Sequence, residues 1–472
     1  MTDAANGTRA KFRMPHTLVI VASLIVVVLV LSWLIPSGTY QRVEKDGRQV
    51  TVPGTYQKID KQYLGPQWLL TSPLKGFRDG ALIIGFLLVI GGAFSVIQAT
   101  GAIEFGIRRI TAALTTRPVL EKLTIPVLMI VFSLGGSIFG MAEETIPFVI
   151  IFVPLALSLG YDSIVGVSIP FLGAAAGFAA AFFNPFTVGV AQGLVGLPLY
   201  SGLGYRVLTW FVGTGVMIAW VMVYAAKVKR RPESSPVYEL DRARAAATGA
   251  PGEAGPLPGR RHTAVLMLFV AGMVVLVWGI LKKEWFIEEI GALFLVMGLV
   301  MGAVGGLRPS EIASSFVAGA KDMVTVALIV ACGRALLILA REGQILDTVL
   351  FFSSRAISGL PRVMAAQVMF LVQSAINFFI HSGTAQAALT MPIMAPLSDL
   401  VGLTRQTTVY AFQLCEFVNP ILPTSAVTMG VLGMAKIPWD KWARWFLPLM
   451  LVLVALSLLL LVPPVLLHWG PF

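Results

Sequence analysis

Uncharged apolar runs long enough to cross a bilayer recur along this chain, and they leave few folds open. Residues 17–35, 81–103, 207–226, 263–281, 290–307 and 445–467 contain no Asp, Glu, Lys or Arg, and 323–340 contains only Arg334. About 20 apolar residues in a helix cross a hydrocarbon core roughly 30 Å thick. Inside that core each backbone polar group must be satisfied within the protein, so such runs fold as helices. The chain therefore reads as an all-α polytopic membrane protein. Only 12% of its 472 residues are charged, against roughly 25% in soluble domains. The net charge of +11 fits Lys and Arg gathered in cytoplasmic loops. It does not fit nucleic-acid binding, because no basic patch interleaved with aromatics sits on a soluble module. Cys332 and Cys415 lie in apolar surroundings and suggest neither a disulfide framework nor a metal site.

Residues 1–16, with Lys11 and Arg13, read as a cytoplasmic N-terminus. The run after them reads as an uncleaved first span, since no small-residue cleavage site follows. Two longer segments look like spans broken part way. Residues 163–197 contain Asn184-Pro185, and 404–435 contain Glu416, Asn419-Pro420 and Pro423. Two others are apolar with polar centres: 123–161 around Gly140-Met-Ala-Glu-Glu144, and 363–400 around His381-Ser-Gly-Thr-Ala-Gln386. Each is either two full spans or a re-entrant hairpin. Residues 227–262 carry eight Lys or Arg among Pro, Gly and Ala, the composition of a flexible cytoplasmic linker. Residues 263–309 read as connecting spans. Hairpins satisfy most loop charges at once, giving nine spans, two hairpins, the N-terminus inside and the C-terminus outside. The basic loop 38–61 then lies outside, against the charge rule.

The chain also repeats itself. Pro154-Leu-Ala-Leu-Ser-Leu-Gly160 matches Pro396-Leu-Ser-Asp-Leu-Val-Gly402, with Glu144 and Gln386 each ten residues before the proline. Asn184-Pro185 matches Asn419-Pro420, and Trp210-Phe211 and Trp445-Phe446 follow each Asn by twenty-six residues. Gly76-Phe-Arg-Asp79 matches Gly319-Ala-Lys-Asp322, and Gly91 to Gly101 has the spacing of Gly333 to Gly343. Several matches in one order define two repeats, within 17–226 and 310–472. In the topology above the two hairpins enter from opposite sides. That is an inverted-topology repeat with two re-entrant hairpins and two broken helices, an architecture of secondary transporters.

The chemistry belongs where helices break. Proline removes a donor and clashes with the preceding turn, while an Asn amide both donates and accepts. Freed carbonyls suit a cation, and half-helix N-termini suit an anion. The candidate binding residues are Glu143, Glu144, Thr145, Asn184, Pro185, Ser382, Gly383, Thr384, Gln386, Asn419, Pro420, Thr424 and Ser425. Glu143, Glu144, His381 and Glu416 are candidates for ion coupling, because intramembrane ionisable groups are functional by default. The coupling ion is left open between Na+ and H+, with Asn184 and Asn419 as candidate Na+ positions; no cofactor is expected. Arg334 reads either as partner of a substrate carboxylate or as salt-bridge mate of a Glu. Gly135, Gly136, Gly173 and Gly177 read as helix-packing residues.

Trp33-Leu-Ile-Pro-Ser-Gly-Thr-Tyr40, Glu143-Glu-Thr-Ile-Pro147, Asn184-Pro-Phe186, His381-Ser-Gly-Thr-Ala-Gln386 and Asn419-Pro-Ile-Leu-Pro-Thr-Ser425 together resemble the YfcC-type transporters. These stand among the C4-dicarboxylate anaerobic carriers of the ion transporter superfamily. The resemblance implies a scaffold domain that forms a homodimer and a transport domain that moves against it as an elevator. It also implies a bacterial inner-membrane location. Sodium-coupled relatives carry Ser-Asn-Thr at both tips; here the tips read Met141-Ala-Glu-Glu144 and Ser382-Gly-Thr-Ala-Gln386. Two tip glutamates repel a dianion unless protonated, which favours an amino acid, basic ones included, over a C4-dicarboxylate. The chain thus reads as a secondary transporter, symporter or exchanger, of a small carboxylate-bearing solute. A channel is the alternative. An intramembrane enzyme is less favoured, since the chain has no His-Glu-x-x-His pattern and only one intramembrane His.

Overall fold

The structure, a computed structural model, describes residues 17–45, 48–248, 260–283, 285 and 287–470. The expected cytoplasmic N-terminus, residues 1–16, lies outside these. After α1 (Thr17–Leu34) the chain makes two small antiparallel ribbons: Gly38–Thr39 with Gln57–Lys58, and Arg42–Lys45 with Arg48–Thr51. Then comes α2 (Trp68–Asp79), α3 (Ala81–Ala99), α4 (Ala102–Thr115), α5 (Pro118–Phe139), α6 (Val149–Ser158), α7 (Ser163–Ala179), α8 (Val190–Leu194) and α9 (Leu203–Arg230). Helices α10 (Tyr238–Thr248), α11 (Arg260–Lys283) and α12 (Ile287–Gly305) follow. The second half is α13 (Pro309–Asp322), α14 (Val324–Glu342), α15 (Leu346–Ile357), α16 (Arg362–Asn377), α17 (Gly383–Leu400), α18 (Arg405–Leu414), α19 (Ala426–Met434), α20 (Trp439–Leu460) and the short α21 (Val462–Leu466). Helices α2 to α9 thus correspond in order to α13 to α20. Among the described residues, eight helices are long and apolar enough to cross a membrane.

The repeats are antiparallel. Helix α9 begins beside the base of the second hairpin, where a side chain on Gly202 would strike Gln406 and Trp469. It ends beside the base of the first, where Lys229 pairs with Glu121 and Tyr224 donates to Asp162. Its equivalent, α20, runs the other way. Lys441 near its start donates to Pro236 O at 2.7 Å, and Leu460 O at its end accepts from Tyr205 Oη at 2.7 Å. The hairpins α5–α6 and α16–α17 therefore open at opposite ends of a helix about 42 Å long at 1.5 Å per residue. Both tips end inside the protein, which selects hairpins over pairs of full spans.

Local sequence accounts for each turn. Asp162 Oδ1 caps α7 through Val165 N at 2.9 Å, and Thr404 Oγ1 caps α18 through Thr407 N at 3.2 Å, each satisfying an N-terminal donor. Gly160 and Gly402, the matched ends of α6 and α17, take φ of 81° and 72°, which glycine adopts without strain. Gly76 and Gly319 also have matched roles. A side chain at Gly76 would run into Ala331 O, and one at Gly319 into Gly91 O. So α2 crosses α14 and α13 crosses α3 at backbone contact. Their charged ends, Lys75 to Asp79 and Lys321 to Asp322, hide both helices from a search for uncharged runs.

One feature differs from expectation. Residues 227–248 are ordered: Ser235 Oγ donates to Asp162 at 2.7 Å, Asp241 accepts from Ser163 N at 2.9 Å, and Arg244 donates to Ala435 O at 2.5 Å. Burial pushes the Asp162 carboxyl up, against donation from Tyr224, Ser235 and Val165 N. The linker is thus docked on both repeats where its own side chains find buried partners; its residues 249–259 lie outside the described ones. The basic loop after α1 is likewise anchored, Arg42 gripping buried Asp347 at 2.7 and 2.8 Å while Tyr40 N donates at 2.9 Å.

Helices α5 and α7 touch through small residues, which let backbones approach closely. A side chain at Gly136 would meet Ala174 O, one at Gly177 Ser133 O, and one at Gly173 Met129 O; at Gly135 it meets only the flexible Met141. Gly177→Val is expected to lower stability by about 1–3 kcal/mol through overpacking, whereas Gly135→Ala is tolerated. Apparent Tm in detergent checks this; equal effects of the two would contradict the packing.

Candidate functional site

The two tips and the second break enclose one cavity of about 400 Å³. Glu143 and Thr145 enter it from the first tip, His381, Ser382, Gly383 and Thr384 from the second, and Glu416, Asn419, Pro420, Thr424 and Ser425 from the second break. Asp79, Arg334 and Arg341 add charges from α2 and α14. Pieces far apart in sequence meet here because each half-helix must end where protein groups can satisfy its terminal N–H groups. Ser382 Oγ caps α17 through Ala385 N at 3.4 Å, and Ser425 Oγ caps α19 through Thr428 N at 3.4 Å. Two positive helix ends therefore face the cavity.

Glu416 is 2% exposed. Asn377 Nδ2 donates to its Oε1 at 3.3 Å and Asn419 Nδ2 to its Oε2 at 3.0 Å. Among the described residues no Lys, Arg or His stands within ion-pair distance of it. His381 Nε2 shares a hydrogen bond with Thr424 Oγ1 at 2.8 Å, and Thr424 Oγ1 donates to Phe378 O at 2.9 Å. Of the two sequence readings of Arg334, the salt bridge to a Glu is not found among the described residues; its mate is Asp79, whose Oδ2 stands 3.5 Å from the guanidinium. Both groups are about one-third exposed, so Arg334 remains open to a ligand.

Four expected site residues do not line the cavity. Glu144 turns back to accept Ala142 N at 2.8 Å within the first tip. Its repeat counterpart Gln386 is buried, donating to Gln373 Oε1 at 2.8 Å and accepting from Asn377 Nδ2 at 3.1 Å. Asn184 is a buried cap: its Oδ1 accepts Phe186 N at 2.9 Å and Thr187 N at 3.3 Å, and its carbonyl accepts Gly189 N. Both of its oxygens thus accept hydrogen bonds from the protein. Pro185 is exposed outside the cavity. Gly140, φ 71°, crosses directly over Asn184 and leaves no space for a side chain. Sequence reasoning missed Asp79, Arg341 and Asn377. The signal for Asp79 was its place in the repeated Gly-x-x-Asp; Asn377 and Arg341 carried none.

A second cavity of about 580 Å³ lies between the ribbon and α17, lined by Arg42, Thr51 and Asp347 among others. Arg341, Ile380, Ser382, Thr384 and Ala385 line both cavities. The second tip is therefore the partition between them.

The family model described as C4-dicarboxylate anaerobic carrier matches residues 14–465. A relative from Escherichia coli K12, named "Putative basic amino acid antiporter YfcC", is 38% identical over 478 residues, covering 92% of this chain and 93% of the relative. A Haemophilus influenzae relative, named "Uncharacterized protein", is 28% identical over 509 residues, covering 98% and 99%. Two solved structures align at lower similarity. The Alcanivorax borkumensis YdaH transporter has TM-score 0.42 and 14% identity, over 97% of this chain and all of that one. Neisseria gonorrhoeae MtrF, titled as illuminating a class of antimetabolite efflux pumps, has TM-score 0.41 and 18% identity, over 98% of each chain. The chain is a multi-pass membrane transporter and belongs to the C4-dicarboxylate anaerobic carrier family.

Proposed function

We propose that this transporter is an exchanger of amino acids, basic ones included, coupled to protons through Glu416. The observation that carries the reading is a cavity holding both signs of charge. Glu143 and Glu416 can meet an ammonium or guanidinium group. Arg334 and the N-terminal ends of α17 and α19 can meet a carboxylate. A dicarboxylate would use only the second set and be repelled by the first. The volume lies at the small end of ligand sites, about 300–1,000 Å³, which suits a single amino acid. The printed name of the Escherichia coli relative agrees with this substrate class.

Glu416 is the coupling group because a buried carboxylate without a counter-cation is expensive to keep ionised. It takes up a proton when the cavity lacks a cationic ligand and releases it when one binds. Alternation follows from exchanging the conformations of the two antiparallel repeats, with the hairpins and broken helices moving as one body. Basic residues on the linker side, among them Lys229, Arg231, Arg244, Lys436, Lys441 and Arg444, support a cytoplasmic linker and N-terminus in the inner membrane.

Labelled arginine or another amino acid is expected to enter proteoliposomes only in exchange, either for unlabelled amino acid inside or for protons leaving down an imposed pH gradient. Entry into empty liposomes with conductance would favour a channel. Glu143→Gln should weaken transport of a basic amino acid by roughly 10–100-fold, as expected for losing a charged hydrogen bond; succinate transport unaffected by that change would contradict the assignment. An imposed pH gradient should drive uptake by the wild type and not by Glu416→Gln. A sodium gradient that drives both equally would contradict proton coupling.

A further inference from the structure

Arg206 lies near the start of α9, away from the transport cavity, and is 1% exposed. Its Nε, Nη1 and Nη2 have no hydrogen-bond partner. Among the described residues no carboxylate stands within ion-pair distance of it. Its neighbours are rings: the guanidinium carbon is 5.9 Å from the Tyr410 centroid and 5.8 Å from that of Trp469. Those distances sit at the outer limit of cation–π attraction, about 6 Å, and leave the charge uncompensated. Nearby acceptors are spent on one another. Gln192 Nε2 donates to Gln406 Oε1 at 3.2 Å, Gln406 Nε2 to Ser201 O at 2.5 Å, and Tyr410 Oη pairs with Thr209 Oγ1 at 2.7 Å.

A guanidinium stays protonated in proteins, and an unpaired buried charge is costly. No described residue supplies the counter-charge, which leaves the site open to an anion. The N-terminal end of α9 points the same way. Gly202 gives it no capping side chain, so a 28-residue helix presents uncapped N–H groups and its positive end. Helical side chains lean toward the N-terminus, bringing the guanidinium to that end. Leu203 and Gly204 are exposed beside it, while Tyr205, Tyr410 and Trp469 pack ring against ring at 5.2–5.6 Å. Aromatic clusters at span ends mark the headgroup level of a bilayer.

We propose that Arg206 and the N-terminus of α9 form a binding site for a phosphate group, covered by Trp469, on the side of the protein where the second hairpin opens. The phosphate belongs to a lipid headgroup or to free phosphate, and neither source depends on the substrate reading above. The test uses the full chain, delipidated in a neutral detergent at fixed ionic strength. Apparent Tm is read with phosphatidylglycerol, phosphatidylcholine or inorganic phosphate. The wild type is expected to rise by about 3 °C or more with at least one of them. A rise with the lipids alone assigns a lipid phosphate, and an equal rise with inorganic phosphate assigns the free anion. Arg206→Met, similar in length and uncharged, should fold and show no anion-dependent rise, while Arg206→Lys keeps a weakened one. No rise in the wild type, or the same rise in Arg206→Met, overturns the proposal. Were the Met variant not to fold, native mass spectrometry of the wild type decides: a retained phosphate-bearing adduct supports the site, and its absence overturns it.

Discussion

The structure depends on one constraint: a peptide group in hydrocarbon must find its hydrogen bond within the protein. A helix that stops part way through the membrane exposes N–H and C=O groups, and each stop here is matched by a side chain that answers it. Ser382 and Ser425 cap the half-helices that end at the cavity, and Asn184 caps the one that ends beneath the first tip. The same ends that need capping are those whose dipoles and donors can hold a ligand. The proposed binding chemistry and structural necessity thus fall on the same few residues.

The two repeats share a fold and divide the labour. Their packing residues correspond: Gly76 with Gly319, Gly160 with Gly402, Asp162 with Thr404 as caps. Their chemical residues do not. Asn184 is buried and its side-chain oxygen is engaged as a cap, while its counterpart Asn419 faces the cavity and holds Glu416. Glu416 itself answers to Ala181 by the offset between the two asparagines. The first tip brings an acid, Glu143, and the second brings His381 and hydroxyls. A symmetric frame with an asymmetric lining suits the proposed alternation, in which both halves move alike while one cavity keeps a single ligand orientation.

Much of this was legible in the sequence because membrane folds write their constraints as spacing. Uncharged runs gave the spans, and Asn-Pro with its fixed distance to Trp-Phe gave the repeat. What stayed hidden followed from side chains finding partners far away in sequence. Nothing local announces that Asp162 will bury itself against Ser235 and so dock the linker, or that Asp347 will anchor the loop after α1. Helices α2 and α13 escaped because their charged turns interrupt apolar runs. At the site, Glu144 and Gln386 were legible as tip residues, but which way a side chain turns at a tip is set by neighbours such as Ala142 N and Gln373.

The antiparallel arrangement of the repeats underlies the shared cavity, and the proposed alternation rests on it. It can be read from two equivalent positions, Thr116 before the first hairpin and Gly359 before the second, both exposed. The native Cys332 and Cys415 are buried, so Thr116→Cys and Gly359→Cys report separately. With a membrane-impermeant maleimide on right-side-out vesicles, Gly359→Cys should be labelled and Thr116→Cys protected until the membrane is opened. Labelling of both from the same side would contradict the inverted repeat.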